Sequence, residues 1–236
     1  MADHPGDPSG LIASLHRQPL LAVLRPHSAS EAHRQLQQLQ AVGLLHVELA
    51  VPTQPEAAWI ALVRELAERF PGLRLGAASV RTLAQLEAAR AAGLAYGVSP
   101  ILDPPLIEAA LHWRLTLVPG VFTPTEVHGA LRLGCALVKL YPAATLGPSY
   151  WSSLRGPLGP LPACIAAGGL HCGDVLPWLA AGVAGVALGS SLFVDRPRLA
   201  DGDGTRPGDD PPAVADADLD PDLAELLARL QPRGEV

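Results

Sequence analysis

Lysine is almost missing from this sequence. Of seventeen basic residues sixteen are arginine, and the single lysine is Lys139. Aromatic residues are scarce too, at 4% of the chain against 49% hydrophobic residues overall. That balance excludes a core of stacked rings and suits aliphatic helices packed on buried strands. The three cysteines (Cys135, Cys164 and Cys172) lack metal-ligand spacing, and their odd number points to reduced thiols rather than a disulfide framework. No apolar run approaches the roughly 20 residues that cross a bilayer. Neither a secretory nor a transit pattern opens the chain. The net charge of −6 comes without any basic cluster, which gives no electrostatic reason to expect nucleic acid. A soluble, cytoplasmic protein with no membrane partner is the expectation.

What is present is a rhythm. Apolar stretches of strand length fall at 20–25, 45–50, 73–77, 95–98, 115–118, 136–141, 163–166 and 185–188. Helical segments follow at 31–41, 55–69, 80–92, 104–113, 124–133, 150–154 and 174–181, after a short leading helix at 11–18. Thr123-Pro124-Thr125-Glu126 places a cap ahead of a first-turn proline, and Gly43, Gly93, Gly134 and Gly182 each follow a helical run. Trp59, Trp113, Trp151 and Trp178 fall in helical segments and read as packing. Parallel strands need crossovers, and eight of them close an α/β (β/α)8 TIM barrel. An open doubly wound sheet is the alternative; no GxGxxG follows the first strand to favour it.

Composition divides the rest. Residues 1–10 are polar and expected to be a mobile N-terminus, with the barrel over 11–194. Nine of the thirteen aspartates lie within 195–222, amid Gly and Pro, so 195–220 is expected to be an acidic disordered loop. Residues 221–236 are expected to include an amphipathic C-terminal helix docking on the barrel.

In such a barrel the chemistry sits at the C-terminal strand ends. Those ends carry Arg25, Glu48, Ser79, Ser99-Pro100, Pro119, Lys139, Gly168-Gly169 and Gly189-Ser190. Lys139 is set in the apolar run Ala136-Leu137-Val138-Lys139-Leu140-Tyr141. Burying an unpaired ammonium is costly and lowers its pKa, and a neutral amine can attack a carbonyl carbon. A lysine snorkelling from a strand end is the bland reading. Glu48, two residues past His46 and on the same face, belongs to strand two, across an eight-stranded ring from strand six. The pair would offset each other's burial and supply a nucleophile with a proton carrier, or serve as a stabilising ion pair alone. Glycines with Ser190 at the ends of strands seven and eight suit a phosphate. Arg25 suits a carboxylate, or a rim salt bridge. His46 reads as a core histidine or one supporting the site from behind, with a direct role as the alternative; His27 and His171 sit on strand-end loops, where a ligand contact competes with the commoner solvated loop histidine.

The segments LLAVLR (20–25), VELAVP (47–52), LGAASV (75–80), VSP (98–100), VPGVFTPTE (118–126), VKLYPA (138–143), AAGGL (166–170) and LGSSLF (188–193) occur in an order that resembles the KDPG and 4-hydroxy-2-oxoglutarate (KHG) aldolase family. The resemblance covers about residues 11 to 194. It implies a homotrimeric class I aldolase without metal or organic cofactor, which cleaves 2-keto-3-deoxy-6-phosphogluconate (KDPG) to pyruvate and glyceraldehyde 3-phosphate. Lys139 matches the family's Schiff-base lysine and Glu48 its proton-shuttling glutamate. Gly168, Gly169, Gly189 and Ser190 match phosphate positions, and Arg25 matches a carboxylate-binding arginine. Ser79, Pro100, Pro119 and Ala167 join them as substrate-contacting positions.

Three departures accompany the match. Pro52 stands where some members carry a second arginine, Ser79 replaces a threonine, and Ala167 replaces the threonine linked to discrimination at C4. The galactonate epimer of the substrate and 4-hydroxy-2-oxoglutarate therefore stay open as alternatives. A phosphosugar isomerase or epimerase using Glu48 as base, and a non-catalytic phosphate-ligand binder, also remain.

Overall fold

The computed structural model describes residues 8–195 and 217–230. The outermost ends of the chain and most of the expected acidic loop lie outside the described residues.

Short β-rich runs alternate with helices as the rhythm predicts. The strands are β1 (Leu20–Leu24), β2 (His46–Ala50), β3 (Arg74–Ala78), β4 (Tyr96–Val98), β5 (Thr116–Val118), β6 (Gly120–Val121), β7 (Leu137–Leu140), β8 (Ala163–Ala167) and β9 (Gly185–Leu188). The helices around them are α1 (Ser9–Arg17), α2 (Ala29–Ala41), α3 (Ala57–Arg69), α4 (Leu83–Ala91), α5 (Pro104–His112), α6 (Pro124–Arg132), α7 (Pro148–Ser153), α8 (Arg155–Leu158) and α9 (Val175–Ala180). All sheet neighbours from β1 to β9 are parallel.

The sheet runs β5-β4-β3-β2-β1-β9-β8-β7-β6. Its two ends, β5 and β6, are halves of one strand separated by Pro119, so the ring closes as a (β/α)8 barrel. The split has a local cause. Proline has no N–H to donate, while its carbonyl still accepts from the Lys139 N–H at 2.8 Å. Gly120 then passes so close to the neighbouring chain that an added Cβ would lie 2.3 Å from the Pro100 carbonyl carbon.

Side chains divide by the two-residue period of a strand. Leu20, Ala22 and Leu24 join Val47 and Leu49 in the outer core beneath the helices. Leu21, Val23, Ala78, Tyr96, Val98, Val118, Leu137 and Ile165 fill the barrel interior. From α1, Leu11 and Leu15 join that interior cluster and close its N-terminal end. Each such leucine contributes about 1.5–3 kcal/mol by leaving water.

The caps form as the sequence indicates. Thr123 and Glu126 make a reciprocal capping box at α6. The helix expected over 80–92 begins later, at Leu83, because Thr82 caps it by accepting from the Gln85 N–H. The short helix expected over 150–154 is two turns, α7 and α8.

After β9 the chain forms β10 (Phe193–Asp195), which pairs antiparallel with β11 (Ala217–Leu219). β11 lies inside the segment expected to be an unstructured loop, and it brings the two ends of that segment together. α10 (Asp222–Leu230) then buries Leu223, Leu226 and Leu227. Among the described residues no helix is long and apolar enough to cross a membrane.

Candidate active site

Lys139 is anchored by its backbone, in register with Gly120 of β6 and Ile165 of β8. The alternation that turns Leu137 inward turns Lys139 inward as well. Its side chain is 6% exposed, and it lines a cavity of about 330 Å³ at the C-terminal end of the barrel. Burial pulls its pKa below the ordinary lysine value; Glu48 opposes that shift and Arg25 adds to it. The nitrogen sits 4.9 Å from the centroid of the Tyr141 ring.

Glu48 stands between Val23 of β1 and Gly76 of β3 in register. It is 1% exposed, and neither carboxylate oxygen has a hydrogen-bond partner among the described residues. Burial raises its pKa to about 7, against the lowering pull of Lys139 and Arg25. A carboxyl pushed up and a lysine pushed down converge in proton affinity. Such a coupled pair can pass a proton at neutral pH. Glu48 does not itself line the cavity, but its register partner Val23 does.

Of the sequence-nominated residues, Arg25, Ala167, Gly168, Gly169, Gly189 and Ser190 line the same cavity as Lys139. Gly168 and Gly169 are both left-handed, at φ +96° and +74°. A Cβ on Gly168 would fall 2.8 Å from the Tyr141 ring, so glycine is needed there for conformation and for space. The Ser191 hydroxyl donates to the Leu170 carbonyl at 2.7 Å and ties the loop after β9 to the loop after β8. Two glycine-rich loops are thereby held side by side at the cavity wall, a backbone arrangement that suits an anion.

Other nominated residues go elsewhere. Ser79, held at φ +63°, lines a neighbouring cleft of about 760 Å³ together with Pro52, His27 and Arg25. Pro100 and Pro119 line neither cavity. Their backbones instead meet Gly120 and Lys139 where the ring closes. His46 lies at the opposite end, fully buried, with Nε2 2.8 Å from the Ser14 hydroxyl and Nδ1 3.3 Å from the Leu20 carbonyl. Burial lowers its pKa to about 4, so it is a neutral core residue. His171 does line the Lys139 cavity.

Sequence reading missed Tyr141 as part of the site. The signal was available, because Tyr141 follows Lys139 by two residues and so shares its face.

Comparison with known proteins places this geometry in context. The family model described as KDPG and KHG aldolase matches residues 11–206. A probable 2-dehydro-3-deoxy-6-phosphogalactonate aldolase from Rhizobium meliloti is 32% identical over 79% of this chain and 86% of its own length. The 2-dehydro-3-deoxy-6-phosphogalactonate aldolase of Escherichia coli is 30% identical over 74% of this chain and 84% of that protein. Among solved structures, KDPG aldolase from Legionella pneumophila, with pyruvate captured as a covalent carbinolamine, superposes with a TM-score of 0.67 at 25% identity, covering 77% of this chain and 86% of that one.

Proposed function

This chain belongs to the KDPG and KHG aldolase family and is a carbon–carbon lyase, and we propose that it cleaves 2-keto-3-deoxy-6-phosphogluconate through an imine on Lys139. The observation that carries this reading is the chain's single lysine buried within electrostatic reach of buried Glu48, beside a cavity that ends in two glycine-rich loops.

The chemistry runs as follows. Neutral Lys139 Nζ attacks the C2 ketone, and the ketone oxygen takes the proton carried by Glu48. Loss of water gives a protonated imine, which draws electrons from the adjacent bonds. Glu48, again anionic, removes the C4 hydroxyl proton; the C3–C4 bond breaks and its electron pair enters the imine. Glyceraldehyde 3-phosphate departs, the enamine is protonated at C3, and hydrolysis returns pyruvate and the free amine. Arg25 holds the C1 carboxylate as a charge-assisted pair. Gly168, Gly169, Gly189 and Ser190 hold the phosphate with backbone N–H groups and one hydroxyl.

A second reading concerns the epimer. Ala167 presents a methyl group to the cavity, with no hydroxyl to sense the C4 configuration, and Pro52 supplies no second arginine. Both relatives described above bear galactonate names. These observations favour the galactonate epimer as a substrate of comparable or better turnover.

Pyruvate release coupled to lactate dehydrogenase, run side by side on the gluconate acid, its galactonate epimer and 4-hydroxy-2-oxoglutarate, tests the reading. Cleavage of at least one supports it, and their ratio selects the epimer. No pyruvate from any of the three refutes it and leaves an isomerase or a binding protein. We further propose a homotrimer, to be read by light scattering. Cytoplasmic residence is also proposed, in keeping with free thiols at Cys135, Cys164 and Cys172; cell fractionation tests it.

A further inference from the structure

Three strands bring a phenol toward the carboxylate on which the proposed chemistry depends. Glu48 on β2 is in register with Gly76 on β3. Ala77 of β3 is in register with Gly97 of β4, which sets Tyr96 level with Gly76. The Tyr96 ring lies directly over that glycine. A Cβ added to Gly76 would sit 2.5 Å from Tyr96 Cζ, 2.6 Å from Cε2 and 2.8 Å from Cε1. Since the ring starts on β4 and its hydroxyl end covers β3, the O–H is carried onward toward β2, where Glu48 stands.

Both groups are sealed from solvent, with Tyr96 at 0% and Glu48 at 1% exposure. The Tyr96 hydroxyl and both Glu48 oxygens lack hydrogen-bond partners among the described residues. Buried polar atoms are rarely left in that condition, and one ordered water can satisfy two of them at once. Here a donor and an acceptor occupy one layer of the barrel. Burial pushes Tyr96 well above the ordinary phenol range, with the Glu48 charge adding to the effect and Arg74 opposing it.

We propose that Tyr96 is a positioning residue for Glu48: its O–H donates to a single bridging water, which donates in turn to the Glu48 carboxylate and fixes its orientation beneath Lys139. This rests on the reading of Glu48 as proton carrier. The other charged or titratable groups around Glu48 are Lys139 on β7, Arg25 at the end of β1, His46 on its own strand and Arg74 at the start of β3. Lys139 and Arg25 belong to the cavity side, and neither hydrogen-bonds the carboxylate. His46 is bound to Ser14 and Leu20, while Arg74 donates to the Gly10 carbonyl at 3.2 Å through Nη1 and keeps a buried Nε without a hydrogen-bond partner among the described residues. The Tyr96 ring approaches from the β3 side, over the glycine in register with Glu48.

A hydrogen bond to the ionised form stabilises it, so losing the bond raises the carboxyl pKa. Tyr96→Phe keeps the ring over Gly76 and removes only the oxygen. The experiment is a carbon-13 NMR titration of the Glu48 carboxyl in the full-length, unliganded protein, wild type against Tyr96→Phe. An upward shift of about one pH unit, matched by the alkaline limb of the kcat/KM profile on which loss of the Glu48 proton falls, is expected. An unmoved or lowered titration overturns the proposal. If the variant does not fold, a high-resolution crystal structure of the wild type decides, because no water within hydrogen-bond distance of both groups also overturns it. Borohydride trapping of pyruvate on the same preparation reports separately on the aldolase reading. Failure there sinks that reading, whereas the titration alone decides the role of Tyr96.

Discussion

The nitrogen of Lys139 lies 4.9 Å from the centroid of the Tyr141 ring, two residues along the same face of the chain. An aromatic face attracts a cation, and the protonated imine formed on that nitrogen is a cation in a partly desolvated site. Tyr141→Leu is therefore expected to lower kcat by about 3- to 30-fold, the equivalent of roughly 0.5–2 kcal/mol. Tyr141→Phe keeps the ring and should retain most activity. Steady-state kinetics on the preferred phosphorylated acid checks this, and an unchanged kcat in the leucine variant contradicts it.

Phosphate recognition separates from carbonyl chemistry by choice of substrate. Ser190→Ala removes one hydroxyl donor at the cavity wall and is expected to raise KM for a phosphorylated acid by about tenfold, the scale of one hydrogen bond to a charged group. Gly168→Ala should do more, because its backbone is left-handed and its Cβ meets Tyr141. Neither change should alter KM for 4-hydroxy-2-oxoglutarate as strongly, since that acid has no phosphate. Equal effects on both substrates would place the anion elsewhere.

His46 links stability to pH. Its folded pKa is about 4, below the ordinary value of 6.5, because burial disfavours the charged ring more than the Leu20 carbonyl favours it. A lowered histidine pKa means that the unfolded chain binds the extra proton. Its contribution is thus complete above about pH 6.5 and is lost as pH falls toward 4, on the order of 3 kcal/mol in all. Urea melts of wild type and His46→Gln between pH 7 and pH 4 should converge as the pH drops. Curves that stay parallel would show that His46 is not the titrating group.

Gly76 serves the ring above it. Gly76→Ala is expected to destabilise the protein by roughly 1–3 kcal/mol through overpacking against Tyr96. Adding Tyr96→Leu should recover part of that loss, because the alanine then has room. A double-mutant cycle by urea denaturation reads the coupling, and strict additivity would separate the two residues.

Much of this was legible in the sequence, and for identifiable reasons. The period of strand and helix gave the barrel, because helices and parallel strands differ in how often an apolar residue returns. Lys139 and Glu48 stood out because a charge in an apolar strand demands a partner. Pro119 hid the break in strand five, since a missing N–H shows only once its neighbour across the ladder is known. Pro100 and Ser79 sit at strand ends like the residues lining the Lys139 cavity, but Ser79 lines the neighbouring cleft and Pro100 lines neither, a placement that alternation along a strand does not reveal. β11 was hidden by the aspartates around it: three residues of pairing with Phe193–Asp195 outweigh a local composition that favours disorder. The Tyr96 contact needed three strands in register and could not be read from any one of them.

The central claim is that Lys139 Nζ bonds to the C2 carbon of pyruvate. Sodium borohydride added with pyruvate, followed by peptide mass spectrometry, measures it directly, because the chain offers one lysine. The account predicts a single reduced pyruvyl adduct on the peptide that contains Lys139, absent in Lys139→Arg and without borohydride. An unmodified Lys139 in protein that still cleaves substrate would contradict it.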